Sequence, residues 1–166
     1  MDHCVRCGFD YRLDAADGAG AAITAGADRL ADLLTSADVD LRARRAPEQW
    51  SPLEYGFHVR DVLLVQRERV LAARRIDHPS FEPMGRDERV ELDGYSEQDP
   101  AAVARQLRDA AAMLVNVFAR LRPDEWERTV RYSYPVEMER SLRWVAEHTA
   151  HEVQHHLLDV REQLPS

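Results

Sequence analysis

Between Ser141 and Pro165 apolar residues recur at helical spacing, and four of the chain's seven histidines ride on the same stretch. At about 100° per residue, Leu142, Val145, Ala146, Thr149, Val153, Leu157, Val160 and Leu164 form one broad stripe. A stripe of that width has to face a core, so the segment is a helix docked on other helices. The histidines His148, His151, His155 and His156 then sort by face. His156 falls inside the stripe and Glu152 at its edge, one turn earlier. His151 points nearly the opposite way, with His155 and His148 between it and the core edge.

Three more segments carry the same period. One runs from about Asp17 to Ser36, with Ile23, Ala27, Leu30, Leu33 and Leu34 in step. A second opens with Ser51-Pro52-Leu53-Glu54, which reads as N-cap, first-turn proline and capping-box glutamate, and continues to about Ala73. A third starts at Asp99-Pro100 and carries Val103, Leu107, Ala111, Leu114 and Phe118. Four helices of about 20 residues predict an all-α four-helix bundle, with residues 1–166 as one domain. A short N-terminal Cys-x-x-Cys segment, within residues 1–16, precedes the first helix. The connections are long. Residues 75–98 hold Pro79, Pro83, Gly85 and Gly94 without a sustained period, a length that often covers a site. Residues 121–140 form another long link, with Trp126 and the apolar-aromatic run Val130 to Val136.

Composition narrows the partners. A net charge of -8 argues against a nucleic-acid ligand, whose binding rests on neutralising phosphates. All 22 basic residues are arginine, which excludes Schiff-base chemistry on a lysine. No apolar run approaches the roughly 20 residues that span a bilayer, the N-terminus lacks a signal-peptide core, and the only two cysteines share one Cys-x-x-Cys. The expectation is a cytoplasmic protein without membrane contact.

The second helix offers an inward polar row to match the last. Glu54, His58 and Asp61 follow one another at i, i+4 and i+7, flanked by Val62 and Val65. Burying such a row is unfavourable unless its members find partners. His58, Glu152 and His156 together make three ligands with further positions open to water, the pattern of a catalytic metal site. Asp61 or Glu54 is then expected to orient His58, or to act as general base. Taken singly, His58 or His156 is more simply a satisfied core histidine. The outward histidines have candidate partners too. Cys4-Val5-Arg6-Cys7-Gly8 has the shape of a zinc knuckle, and His151 and His155 would complete a set of two cysteines and two histidines if the N-terminus docks on the last helix. The competing reading is a redox or incidental Cys-x-x-Cys beside solvated histidines.

These residues resemble the DinB-like (YfiT-like) family of metal-binding four-helix bundles. The resemblance rests on Trp50-Ser51-Pro52-Leu53-Glu54-Tyr55-Gly56-Phe57-His58-Val59-Arg60-Asp61-Val62 and on His151-Glu152-Val153-Gln154-His155-His156-Leu157-Leu158-Asp159-Val160, with helix order matching from about residue 17 onward. It implies one metal ligand from the second helix and two, four residues apart, from the last. The pattern Glu152-x-x-x-His156-x-x-Asp159 is similar to the mycothiol-dependent enzymes, maleylpyruvate isomerase among them. Other members use His-x-x-x-His, which here selects His151 and His155 as the rival pair. The resemblance implies a metal-dependent thiol S-transferase. In it a divalent metal, zinc or alternatively nickel, activates a low-molecular-weight thiol that attacks an electrophilic small molecule under residues 75–98. Arg60, Arg67 or Arg86 would hold carboxylates of thiol or substrate. A metal-assisted hydrolase and a non-catalytic stress or binding protein are the alternatives, and a homodimer is the expected assembly.

Overall fold

A computed structural model of the chain describes residues 3–36, 38–133 and 136–164. Tyr134 and Pro135, inside the apolar-aromatic run, and Pro165, the expected stop of the last helix, lie outside the described residues. The four long helices are α1 (Ala19–Ser36), α2 (Pro52–Arg75), α4 (Pro100–Phe118) and α5 (Leu142–Arg161). A 3₁₀ turn over Leu13–Gly18 leads into α1, and a short helix, α3 (Arg86–Leu92), precedes α4.

The helix starts follow from local chemistry. Ser51 Oγ accepts from the Glu54 amide and Glu54 Oε2 accepts from the Ser51 amide at 2.7 Å, so the capping box of α2 closes with Pro52 in its first turn. Asp99 caps α4 through the Ala102 amide, and Ser141 caps α5 through the Trp144 amide.

Around the bundle the order is α1, α4, α2, α5, because α1 and α2 each pack against both α4 and α5 while touching one another little. Helices consecutive in the chain, α1 and α2, therefore sit across a diagonal, and so do α4 and α5. A diagonal step needs a longer connection than a step to a neighbour, which accounts for the links over 37–51 and 119–141. Two close approaches tie the layers together. A Cβ on Gly26 would stand 2.5 Å from Cγ1 of the stiff Val153 side chain, so that crossing needs glycine, and one on Gly56 would stand 2.6 Å from Leu34 Cδ1, so that leucine would have to turn aside. The core is one cluster that includes Ile23, Leu30, Leu53, Phe57, Leu63, Leu107, Leu114, Leu142 and Val160.

Two features depart from the helical expectation. Residues 119–141 carry an antiparallel hairpin, β1 (Thr129–Tyr132) with β2 (Met138–Ser141), in which Val130 and Tyr132 turn inward. Residues 76–99 are not a plain loop: they hold α3 and a 3₁₀ turn over Tyr95–Glu97, and the residue before each, Gly85 and Gly94, lies in the left-handed region. Among the described residues no helix is long and apolar enough to cross a membrane.

Candidate metal centre

The inward histidine set meets at one point between α2 and α5. Donor atoms of His58, Glu152 and His156 lie within 4.8 Å of one another. Glu152 Oε2 is 4.0 Å from His58 Nε2 and 3.6 Å from His156 Nε2. These separations are too long for hydrogen bonds. They suit ligands of one ion, since metal–ligand bonds of about 2.1 Å in a tetrahedron set ligand atoms about 3.4 Å apart. The residues present therefore fit a divalent metal.

The surroundings prepare each ligand. Burial, with the neighbouring His156 next in weight, pushes His58 down to about 3, so its imidazole is neutral and free to ligate. His156 Nδ1 donates to Asp159 Oδ2 at 2.9 Å, which fixes the ring so that Nε2 faces Glu152. Burial alone would lower His156, but the bond to Asp159 and the nearby Glu152 carboxylate outweigh it and raise it to about 9 in the absence of a metal. Glu152 is held well below the usual carboxylate range, because contacts with His151 and His156 overcome its desolvation.

Glu54 and Asp61, expected beside His58 as orienting group or base, are committed elsewhere. Both are buried. Glu54 receives Arg44 at 2.6 and 2.8 Å and closes the helix cap. Asp61 receives Arg60, Arg89 and the Tyr95 hydroxyl. Among the described residues His58 Nδ1 has no hydrogen-bond partner, and its ring is positioned by packing against Trp50 and His156, with centroids 4.9 and 4.8 Å away. The polar row faces inward as expected; arginines from other segments neutralise two of its three members.

The outer set also converges. Donor atoms of Cys4, Cys7, His151 and His155 lie within 4.8 Å of one another, and Cys4 Sγ is 3.6 Å from His155 Nδ1. Zinc bonds of about 2.3 Å to sulfur and 2.0 Å to nitrogen give about that spacing in a tetrahedron. The knuckle is closed by two backbone bonds, Cys4 N–H to Phe9 and Gly8 N–H to Cys4, with Gly8 at φ +70. It is fastened to α5 by Arg6 on Asp159 and Glu162, and by Gln154 on the Cys7 carbonyl. Burial opposes thiolate formation at Cys4, but the Cys7 backbone amide and the neighbouring imidazoles of His151 and His155 outweigh it and bring it down to about 6. The expectation that His151 faces outward needs amending. It is only 7% exposed because Phe9 and Tyr11 lie over it, and neither ring nitrogen has a hydrogen-bond partner among the described residues.

Beside the inner site opens a cavity of about 300 Å³, lined by His58 and Glu152 at one end and roofed by Pro83 to Glu88. The long connection thus covers the site, as its length suggested. Of the three arginines singled out from the sequence, Arg86 lines the cavity. Arg60 is spent on Asp61 and Asp93, and Arg67 on Glu68. Three lining residues are not foreseen from the sequence: His148, Arg69 and Tyr132. His148 stacks on Trp144, binds Tyr11 Oη through Nδ1 at 2.9 Å and places Nε2 3.9 Å from Glu152 Oε1. Desolvation takes it down to about 4, so the ring is neutral. Arg69 had a signal available: it is eleven residues past His58, and three helical turns bring both to one face.

Comparisons with known proteins agree with the fold. The sequence profile of the DinB superfamily matches residues 22–160. The fold is similar to that of YfiT from Bacillus subtilis, described as a probable metal-dependent hydrolase with an unusual four-helix bundle topology. The TM-score is 0.78 at 14% identity, over 90% of this chain and 85% of that one. No curated protein matches.

Proposed function

The chain belongs to the DinB superfamily, and from that premise we propose that it is a metal-dependent hydrolase of small molecules with His58, Glu152 and His156 as ligands. One observation carries the reading: three donor atoms, those of His58 and Glu152 on residues that line a cavity, converge at separations too long for hydrogen bonds and spaced for a common ion. A divalent ion there, zinc by its donor set, supplies a Lewis acid that lowers the pKa of a bound water or thiol. The protein's own groups do the rest. Asp159 keeps His156 Nε2 aimed at the site, and aromatic packing keeps His58 neutral and in place. His148, neutral and hydrogen-bonded to the Tyr11 hydroxyl through Nδ1, stands with Nε2 beside Glu152 and, in the tautomer that leaves Nε2 unprotonated, takes the general-base role expected of Glu54 or Asp61. The description of YfiT as a probable metal-dependent hydrolase supports water as the nucleophile.

Thiol S-transfer is the second reading, favoured by the Glu152-x-x-x-His156-x-x-Asp159 pattern and the His156–Asp159 bond within it. The outer set is proposed as a structural zinc site of two cysteines and two histidines, which pins residues 3–12 onto α5. The test is turnover of 4-nitrophenyl hexanoate by zinc-loaded protein without thiol. Hydrolysis should vanish on chelation and return with zinc. His148→Gln should lower kcat by about 100-fold or more with metal content intact. Turnover of 1-chloro-2,4-dinitrobenzene that requires N-acetylcysteine, with no ester hydrolysis, selects the thiol reading; metal-independent hydrolysis overturns both.

A further inference from the structure

The far end of the cavity holds a cation that the protein leaves without an anion. Arg69 is 6% exposed. Its guanidinium lies over the Tyr132 ring at 4.6 Å and near the Phe81 ring at 5.7 Å. Its hydrogen bonds go to Gln66 Oε1 at 3.5 Å and the Glu82 carbonyl at 3.3 Å, both long, and among the described residues no carboxylate pairs with it. Buried arginines are ordinarily matched by an acid, because an unpaired buried charge is strongly unfavourable. Several partly buried arginines follow that rule: Arg60 and Arg89 have Asp61, and Arg74 has Glu125.

Tyr132 adds a second donor. Its hydroxyl accepts from Gln66 Nε2 at 2.8 Å, which leaves the phenolic proton to be donated, and the ring lines the cavity. Two donors thus stand at one end with neutral acceptors only and no carboxylate beside them. The carboxylates on the wall do not fill the gap. Asp87 is exposed beside Arg86, Glu88 is exposed, and Glu152 belongs to the metal end. Between the ends one wall is apolar, with Val62, Val65, Pro83 and Met84, while on another His148 packs on Tyr132 with ring centroids 5.5 Å apart and reaches toward Glu152. His58 and Arg69 share a face of α2 about 16 Å apart along the axis, and the arginine leans back toward the helix start, which leaves room for a chain of several carbons.

We propose that this cavity takes a small carboxylic acid derivative: its carboxylate sits on Arg69 and the Tyr132 hydroxyl, its apolar body lies along Val62 and Val65, and its reactive end meets His58, Glu152 and His156. The proposal rests on the cavity being the substrate site, and it gives that reading a substrate class. Arginine suits the task because its planar fork binds a carboxylate through two parallel bonds.

Calorimetric binding of hexanoate and of its neutral isostere hexanamide tests this, on protein both metal-loaded and chelator-treated. Wild type should prefer hexanoate by about 10- to 100-fold in both forms. Arg69→Gln should erase the preference in both, with metal content unchanged. Tyr132→Phe, which keeps the ring and removes one donor, should reduce hexanoate affinity several-fold and leave hexanamide alone, so the case does not depend on one variant folding. A hexanoate preference that disappears on chelation but survives Arg69→Gln would place the carboxylate on the metal and overturn the proposal while sparing the metal centre. Equal binding of acid and amide by wild type would also overturn it. A preference that persists in protein unable to hold metal would keep Arg69's role and remove the catalytic reading instead.

Discussion

At the scale of single residues, the site is built by neutralising every buried charge but a few. Glu54 shows the rule: its carboxylate is desolvated, which alone would raise its pKa, but Arg44 and the Ser51 amide lower it below the usual 4.5. A carboxylate depressed on folding contributes stability that is fully present above its unfolded pKa and lost as pH falls through the folded value. Glu54→Gln should therefore destabilise by about 2 kcal/mol at neutral pH, read by urea unfolding. That gap should shrink below about pH 4.5; a gap that stays constant to pH 3 would show that the charge is not what stabilises. The same residue marks the limit of reading the chain alone. A helical wheel could tell that Glu54, His58 and Asp61 face inward, because that is a property of one segment. It could not tell that Arg44, Arg89 and Tyr95 would claim the two acids, because those partners come from other segments. His151 was misplaced for the same reason: its cover, Phe9 and Tyr11, lies about 140 residues away.

At the scale of elements, what was legible is what local chemistry determines. The capping box at Ser51 places the start of α2 to the residue, and the starts read near Asp99-Pro100 and Ser141 coincide with side-chain caps in the structure. The hairpin was not legible: its strands have four residues each, and Tyr132 and Met138 face a connection whose turn signal is weak. Nor was α3, seven residues long, which follows a left-handed Gly85 without a side-chain cap. The order of helices around the bundle depends on close crossings, and these can be probed. Gly26→Ala gains about 1 kcal/mol in helix propensity but drives a methyl into Val153. The net effect should be a loss of stability of about 1 kcal/mol or more. In the Val153→Ala background the same change should become neutral or stabilising, so a double-mutant cycle on unfolding free energies should show coupling. Additive effects would mean that α1 and α5 do not meet at this point.

At the scale of the molecule, α5 serves two sites at once. Its inner face gives Glu152 and His156 to the bundle, and its outer face gives His151 and His155 to the N-terminal knuckle. Both sets can be read from one nine-residue stretch, since four histidines and a glutamate on a helix must divide between two faces. What the stretch could not disclose is that the two sets sit side by side, with Glu152 Oε1 3.6 Å from His151 Nδ1. The central claim is that His58, Glu152 and His156 hold a metal. Elemental analysis of purified wild type, His58→Ala and Cys4→Ser tests it most directly, with circular dichroism to confirm that each is folded. Wild type should hold two equivalents of metal per chain, with one remaining in His58→Ala and one in Cys4→Ser. A folded His58→Ala that retains the full wild-type content, or a wild type that holds no metal after purification without chelators and incubation with zinc, would contradict it.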